Sequence, residues 1–120
     1  MSGPIIGSPV SLASAVNIAA GATVTYEFST GQAYFAHIWA DITTDSAATA
    51  GVTISIRSKT DTTANSGLAA STGLTKSVVA TSSSVVDMGE HSAGDYDIVI
   101  TNNDGTYAAT LNNLLYRIAN

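Results

Sequence analysis

The sequence predicts an all-β domain, an antiparallel β-sandwich or jelly roll of about seven to nine short strands. Three observations carry that prediction. Apolar residues recur at every second position in one segment after another, as where Val24, Tyr26 and Phe28 alternate with Thr23, Thr25 and Glu27. The segments are bounded by clusters of Gly, Asn, Asp and Ser, which favour turns. No segment sustains a 3.6-residue apolar period with caps at both ends, so helix is expected to be minor.

Taken in order, residues 1–14 hold both prolines, Pro4 and Pro9, together with Ile5, Ile6, Val10 and Leu12. Proline cannot donate to a β-ladder, so an extended N-terminal arm is expected here, with the sandwich domain covering 15–120. Its apolar side chains should pack either on the domain itself or on a neighbour. A short strand is expected over Ala15–Ala19, a turn at Ala20-Gly21-Ala22, and a second strand over Thr23–Phe28.

The run Tyr34–Ile42 sets Tyr34, Ala36, Ile38, Ala40 and Ile42 on one face and Phe35, His37, Trp39 and Asp41 on the other. Both faces carry large apolar groups, so this strand is expected to be covered on both sides, by a loop, by the arm or by a partner subunit. A polar connection over 43–51 leads to Val52, Ile54 and Ile56 alternating with Thr53, Ser55 and Arg57, and 58–73 reads as a long loop rich in Ser, Thr, Ala and Gly. Short strands are expected at Leu74–Ala80 and Val85–Met88, with Glu90-His91 in a solvated loop before Gly94. Tyr96–Thr101 and Tyr107–Ile118 complete the set, joined by Asn102-Asn103-Asp104-Gly105, which reads as a tight hairpin turn.

At 120 residues and 45% hydrophobic, the chain has the material for one core and one domain. Charged residues are only 11%, where a globular chain averages about 25%. Its surface is therefore made of Ser, Thr, Ala, Asn and Gly, which is easily desolvated and resembles interface surface in its poverty of Lys and Glu. Nine acidic residues stand against Arg57, Lys59, Lys76 and Arg117, and with a net charge of -5 there is no basic stripe for nucleic acid. Without cysteine there is neither a disulfide nor a thiolate site. The start of the chain lacks the basic, apolar pattern of a secretory signal, and no apolar stretch approaches the ~18 residues that span a bilayer, so a non-membrane protein made in the cytoplasm is expected.

The chemistry-bearing residues do not assemble into a known motif. There is no Gly-x-Ser-x-Gly elbow for a nucleophile, and His37 and His91 are far apart with neither in a metal-ligand pair. Asp95, Asp97, Asn102, Asn103 and Asp104 offer oxygens, but an EF-hand register would place Ile100 first and Leu111 twelfth, and turn formation accounts for them. No catalytic residue, metal or cofactor is expected. Phe35 and Trp39, on one strand face, form either a contact surface for protein or a stacking platform for sugar rings.

Two segments carry a resemblance. The strand, Ala-Gly turn and Thr-alternating strand over Val16–Thr25, and the stretch from Gly94 through Asn102-Asn103-Asp104-Gly105 to Leu111, resemble the opening and closing elements of small β-sandwich decoration (cement) or tail-associated proteins of tailed bacteriophages. The resemblance implies a structural protein on the outside of a virion, binding the major capsid protein or another virion protein, with a trimer as the favoured homo-oligomer and no catalytic residues. The contacts expected for that role are Ile5, Ile6, Val10, Leu12, Phe35 and Trp39. The alternative is a carbohydrate-binding module or an adhesin domain of a phage fibre or tail.

Overall fold

A computed structural model describes residues 8–29, 35–58, 74–92 and 94–119. Among them are eight strands and no helix: β1 (Val10–Ile18), β2 (Thr23–Ser29), β3 (Phe35–Thr44), β4 (Val52–Ser58), β5 (Leu74–Val78), β6 (Ser83–Ser92), β7 (Asp95–Asn102) and β8 (Ala109–Ala119). They form two antiparallel four-stranded sheets, ordered β1-β8-β3-β6 and β2-β7-β4-β5. Successive strands switch sheets at every connection except that between β4 and β5, which makes the sandwich a jelly roll, as the strand pattern predicts.

Alternation along each strand decides which side chains meet in the middle. From β3, Ala36, Ile38, Ala40 and Ile42 are fully buried, and they face Val52, Ile54 and Ile56 of β4 and Ile98 and Ile100 of β7 across the core. Each such isoleucine contributes about 2 kcal/mol by burial, in a chain with no disulfide to assist.

One end of the sandwich is tied together by side chains. The carboxylate of Asp104 accepts four backbone N–H groups, from Thr49 (2.7 Å) and Ala50 (3.1 Å) on Oδ2 and from Thr106 and Tyr107 (both 2.8 Å) on Oδ1. These bonds, that from Tyr107 foremost, hold its carboxyl well below the usual carboxylate range. The buried Asn102 amide donates to the carbonyls of Ile18 (3.2 Å), Ala19 (3.3 Å) and Tyr107 (2.9 Å) and accepts from the Asp104 N–H (3.0 Å). Thr44, closing β3, exchanges bonds with Ser82 in the β5–β6 turn. Four crossings between the sheets are thereby locked to one another.

Several expectations change. Asn102-Asn103-Asp104-Gly105 is not a tight hairpin, because β7 and β8 belong to different sheets; the Asn and Asp side chains instead organise the crossing between them. Both Asp104 oxygens are spent on backbone N–H groups rather than left for calcium. Strand β1 begins at Val10, directly after Pro9 and well before Ala15, because Val10–Ser14 pair with β8 across a bulge between Ser11 and Ala13. Strand β6 runs on to Ser92, so Glu90-His91 is strand rather than loop. His91 is buried, its Nε2–H donating to the Met88 carbonyl (2.9 Å) with its ring edge-on to Tyr96. What the sequence pattern misses is Gly89, whose φ of 78° permits a bulge that resets which side chains face inward. The expected loop over 58–73 lies, beyond Ser58, outside the described residues, as does Tyr34.

Candidate functional site

Strand β3 lies inside its sheet, between β8 and β6, so its outward side chains form the centre of a broad face. The register aligns Trp39 with Leu115 of β8 and Asp87 of β6, and His37 with Arg117 and Glu90. Phe35 lies one pleat further on, 47% exposed, and Asp41 one pleat the other way.

These groups interlock. The His37 imidazole lies parallel to the Trp39 indole, centroids 4.2 Å apart at 14°. The Arg117 guanidinium sits over the same indole, 5.6 Å from its centroid, within cation–π range. An ionised carboxylate can only accept, so His37 Nε2–H donates to Asp87 Oδ1 at 2.6 Å, and the Gly89 N–H donates to the same oxygen at 2.8 Å. The Gly89 bond first and the His37 bond second lower the Asp87 pKa from its ordinary value. Glu90 Oε1 lies 3.9 Å from His37 Nδ1. On the far side of Trp39, Asn112 Nδ2 donates to Thr43 Oγ1 (2.9 Å) and Asp41 Oδ1 (3.3 Å), reaching them because a bulge in β8 turns both Asn112 and Asn113 outward. The result is an indole held by its neighbours on the outer face of the sheet, with hydrogen-bonding groups on two sides.

The residues singled out from the sequence separate into two groups. Phe35 and Trp39 do share the outer face, but His37 stands between them and covers one side of the indole. Trp39 is half-buried and Phe35 is exposed, so the described residues do not cover this face of β3 as the core covers the other. Val10 and Leu12 belong to β1, two strands from β3, and Val10 shares its row with Tyr116 and Ile38, whose side chains face the core. They therefore form no common surface with Trp39; Leu12 packs against the core and Val10 is 44% exposed at the sheet edge. Ile5 and Ile6 lie outside the described residues. Asp87, Glu90, Arg117 and Asn112 are members of the face that the sequence pattern does not single out. The alternation Leu114, Leu115, Tyr116, Arg117 signals one of them and that of Val86, Asp87 and Met88 another, whereas Glu90 and Asn112 depend on bulges.

A second feature is an open cleft of about 340 Å³ lined by Glu27, Phe28, Ser29 and Asp95, at the end of the sandwich opposite the Asp104 ties. No cluster of three or more His, Asp or Glu suited to a metal occurs among the described residues.

No protein-family model matches the sequence, and neither does any curated protein. Solved structures do share the fold. The CBM36-1 domain of a multidomain xylanase from the hindgut metagenome of Trinervitermes trinervoides superposes with a TM-score of 0.50 at 9% identity, covering 96% of each chain. A carbohydrate-binding module CBM36 in complex with calcium and xylotriose gives 0.49 at 16% identity, covering 99% of this chain and all of its own. A ruminal GH26 endo-beta-1,4-mannanase matches 84% of this chain at 12% identity and a TM-score of 0.42, and this chain spans only 18% of that enzyme. At such identities the likeness is one of fold: a small jelly-roll β-sandwich of the kind that carbohydrate-binding modules also adopt.

Proposed function

We propose that this domain is a non-catalytic binding module and that the outer face of the β1-β8-β3-β6 sheet, centred on Trp39, takes carbohydrate. The observation that carries this reading is the Trp39 indole, fixed by the His37 stack and flanked by Asp41, Asn112, Asp87 and Glu90. Aromatic rings bind the C–H faces of sugars while nearby polar groups take the hydroxyls, which is the mixture of apolar surface and placed polar atoms that ligand sites use. Because the groups project from paired strands and not from loops, little ordering is needed on binding. The likeness in fold to carbohydrate-binding modules is consistent with this use. A glycan array probed with the protein and with Trp39→Ala tests it: hits that the substitution abolishes are expected, and an empty array, or hits indifferent to Trp39, would remove the reading.

A second reading is favoured by the other sheet. Its outer face presents Thr23, Thr101, Thr53 and Ser77 in one cross-strand row and Thr25, Val99, Ser55 and Thr75 in the next. These two uncharged, hydroxyl-rich rows, beside a third of Glu27, Asp97 and Arg57, in a chain only 11% charged, suit burial against protein. The corresponding function is a virion decoration protein that bridges capsid subunits, as a homo-oligomer with a trimer favoured. Light scattering and binding to undecorated capsids test it; a stable monomer that ignores capsids removes it.

A further inference from the structure

We propose that the Trp39 face selects uncharged, hydroxyl-rich glycans and rejects uronate-bearing or sulfated ones, with Asp87 and Glu90 as specificity-determining residues. This rests on the carbohydrate reading above and adds the ligand class to it.

The argument begins with spare acceptor capacity. Both hydrogen bonds to Asp87 fall on Oδ1, from His37 Nε2 and Gly89 N, and Oδ2 has no partner among the described residues. The Asp87 side chain is 59% exposed, so that oxygen faces solvent beside the indole. Glu90 is 69% exposed, and its 3.9 Å approach to His37 Nδ1 is beyond hydrogen-bonding distance. Ionised carboxylates accept and never donate, and sugar hydroxyls are donors, so the β6 rim of the face matches a ligand rich in hydroxyls.

The same groups oppose an anion. Asp41, Asp87 and Glu90 stand on this face against Arg117, and a protonated His37 would still leave one carboxylate in excess. Lys76, on β5 of the other sheet, adds only a minor favourable field at Asp87. Arg117 is drawn in over the Trp39 ring with its Nε buried, so its guanidinium is engaged with the indole and is the one cation set against these carboxylates on this face among the described residues. A carboxylate or sulfate on the ligand would meet acceptors at the rim and a net charge of its own sign across the protein as a whole.

Calorimetric titration of the intact chain with two sets of oligosaccharides tests this. The uncharged set is xylohexaose, cellohexaose and mannohexaose; the anionic set is hexagalacturonate and a heparin hexasaccharide. At least one uncharged ligand is expected to bind about tenfold or more tighter than any anionic one, with added salt narrowing the gap. Glu90→Gln should weaken uncharged binding several-fold and improve anionic binding, while melting at the temperature of the parent protein. Anionic ligands binding as tightly as uncharged ones, in a way that Arg117→Gln abolishes, would overturn the selectivity and leave the carbohydrate reading standing. Silence from both sets, with an empty glycan array, would remove the carbohydrate reading and the selectivity with it.

Discussion

The imidazole of His37 lies flat against the indole of Trp39, 4.2 Å between centroids, although the two are separated by a single residue on β3. Neighbours at this spacing share a sheet face, and here the imidazole is pinned from β6 by Asp87. The stack fixes the indole in one orientation before any ligand arrives. His37→Ala should therefore leave the fold intact, at a cost of about 1 kcal/mol for the lost stack and hydrogen bond. Binding through Trp39 should weaken several-fold, because the freed ring must be ordered again. Fluorescence anisotropy of Trp39 checks the loosening directly; an unchanged anisotropy contradicts the positioning role.

Asp104 sets a pH dependence whose sign follows from its bonds. Its carboxyl is held low by the N–H groups of Tyr107, Thr106, Thr49 and Ala50, so the folded state prefers the ionised form. That contribution is fully present above the unfolded pKa of about 4 and is lost as pH falls from there toward the lower folded value. Thermal melts between pH 7 and pH 2 should show the protein losing stability in the acid limb. Asp104→Asn should be less stable at pH 7 and should lose less on acidification. Parallel curves for the two proteins would contradict the assignment.

Two glycines at the tied end should behave differently when a methyl group is added. Gly51 has no room: a Cβ there would run into the Val78 carbonyl oxygen, and its own carbonyl accepts the Asn103 N–H at 2.9 Å. Gly21 has open space but a φ of 69°, which costs an alanine about 1 kcal/mol. Urea unfolding should rank Gly51→Ala as the more damaging. Equal losses would mean that β5 yields more easily than its pairing with β4 implies.

Much of the fold was legible in the residues. Period-two patterning located β2, β3, β4, β7 and β8, and it grouped Ala36, Ile38, Ala40 and Ile42 on one face of β3, the face the structure turns into the core. Which strands pair was not legible. Asn102–Gly105 has the composition of a hairpin turn, yet the chain crosses between sheets there, and only long-range bonds from Asn102 and Asp104 distinguish the two. Half of the face could be seen as well, since Phe35 and Trp39 alternate with core residues. Glu90 could not: it stands three residues after the outward Asp87, a spacing that in a regular strand puts the two on opposite sides, and the Gly89 bulge is what brings it outward as well.

Trp39 is the one tryptophan in the chain, so its emission reports on the proposed site with no background from elsewhere. Titrating the protein with uncharged oligosaccharides while following that emission is the most direct measurement of the central claim. A saturable shift or quench is predicted, with a midpoint matching the calorimetric affinity. Saturable binding by calorimetry with the Trp39 emission unmoved would place the ligand elsewhere and contradict the account.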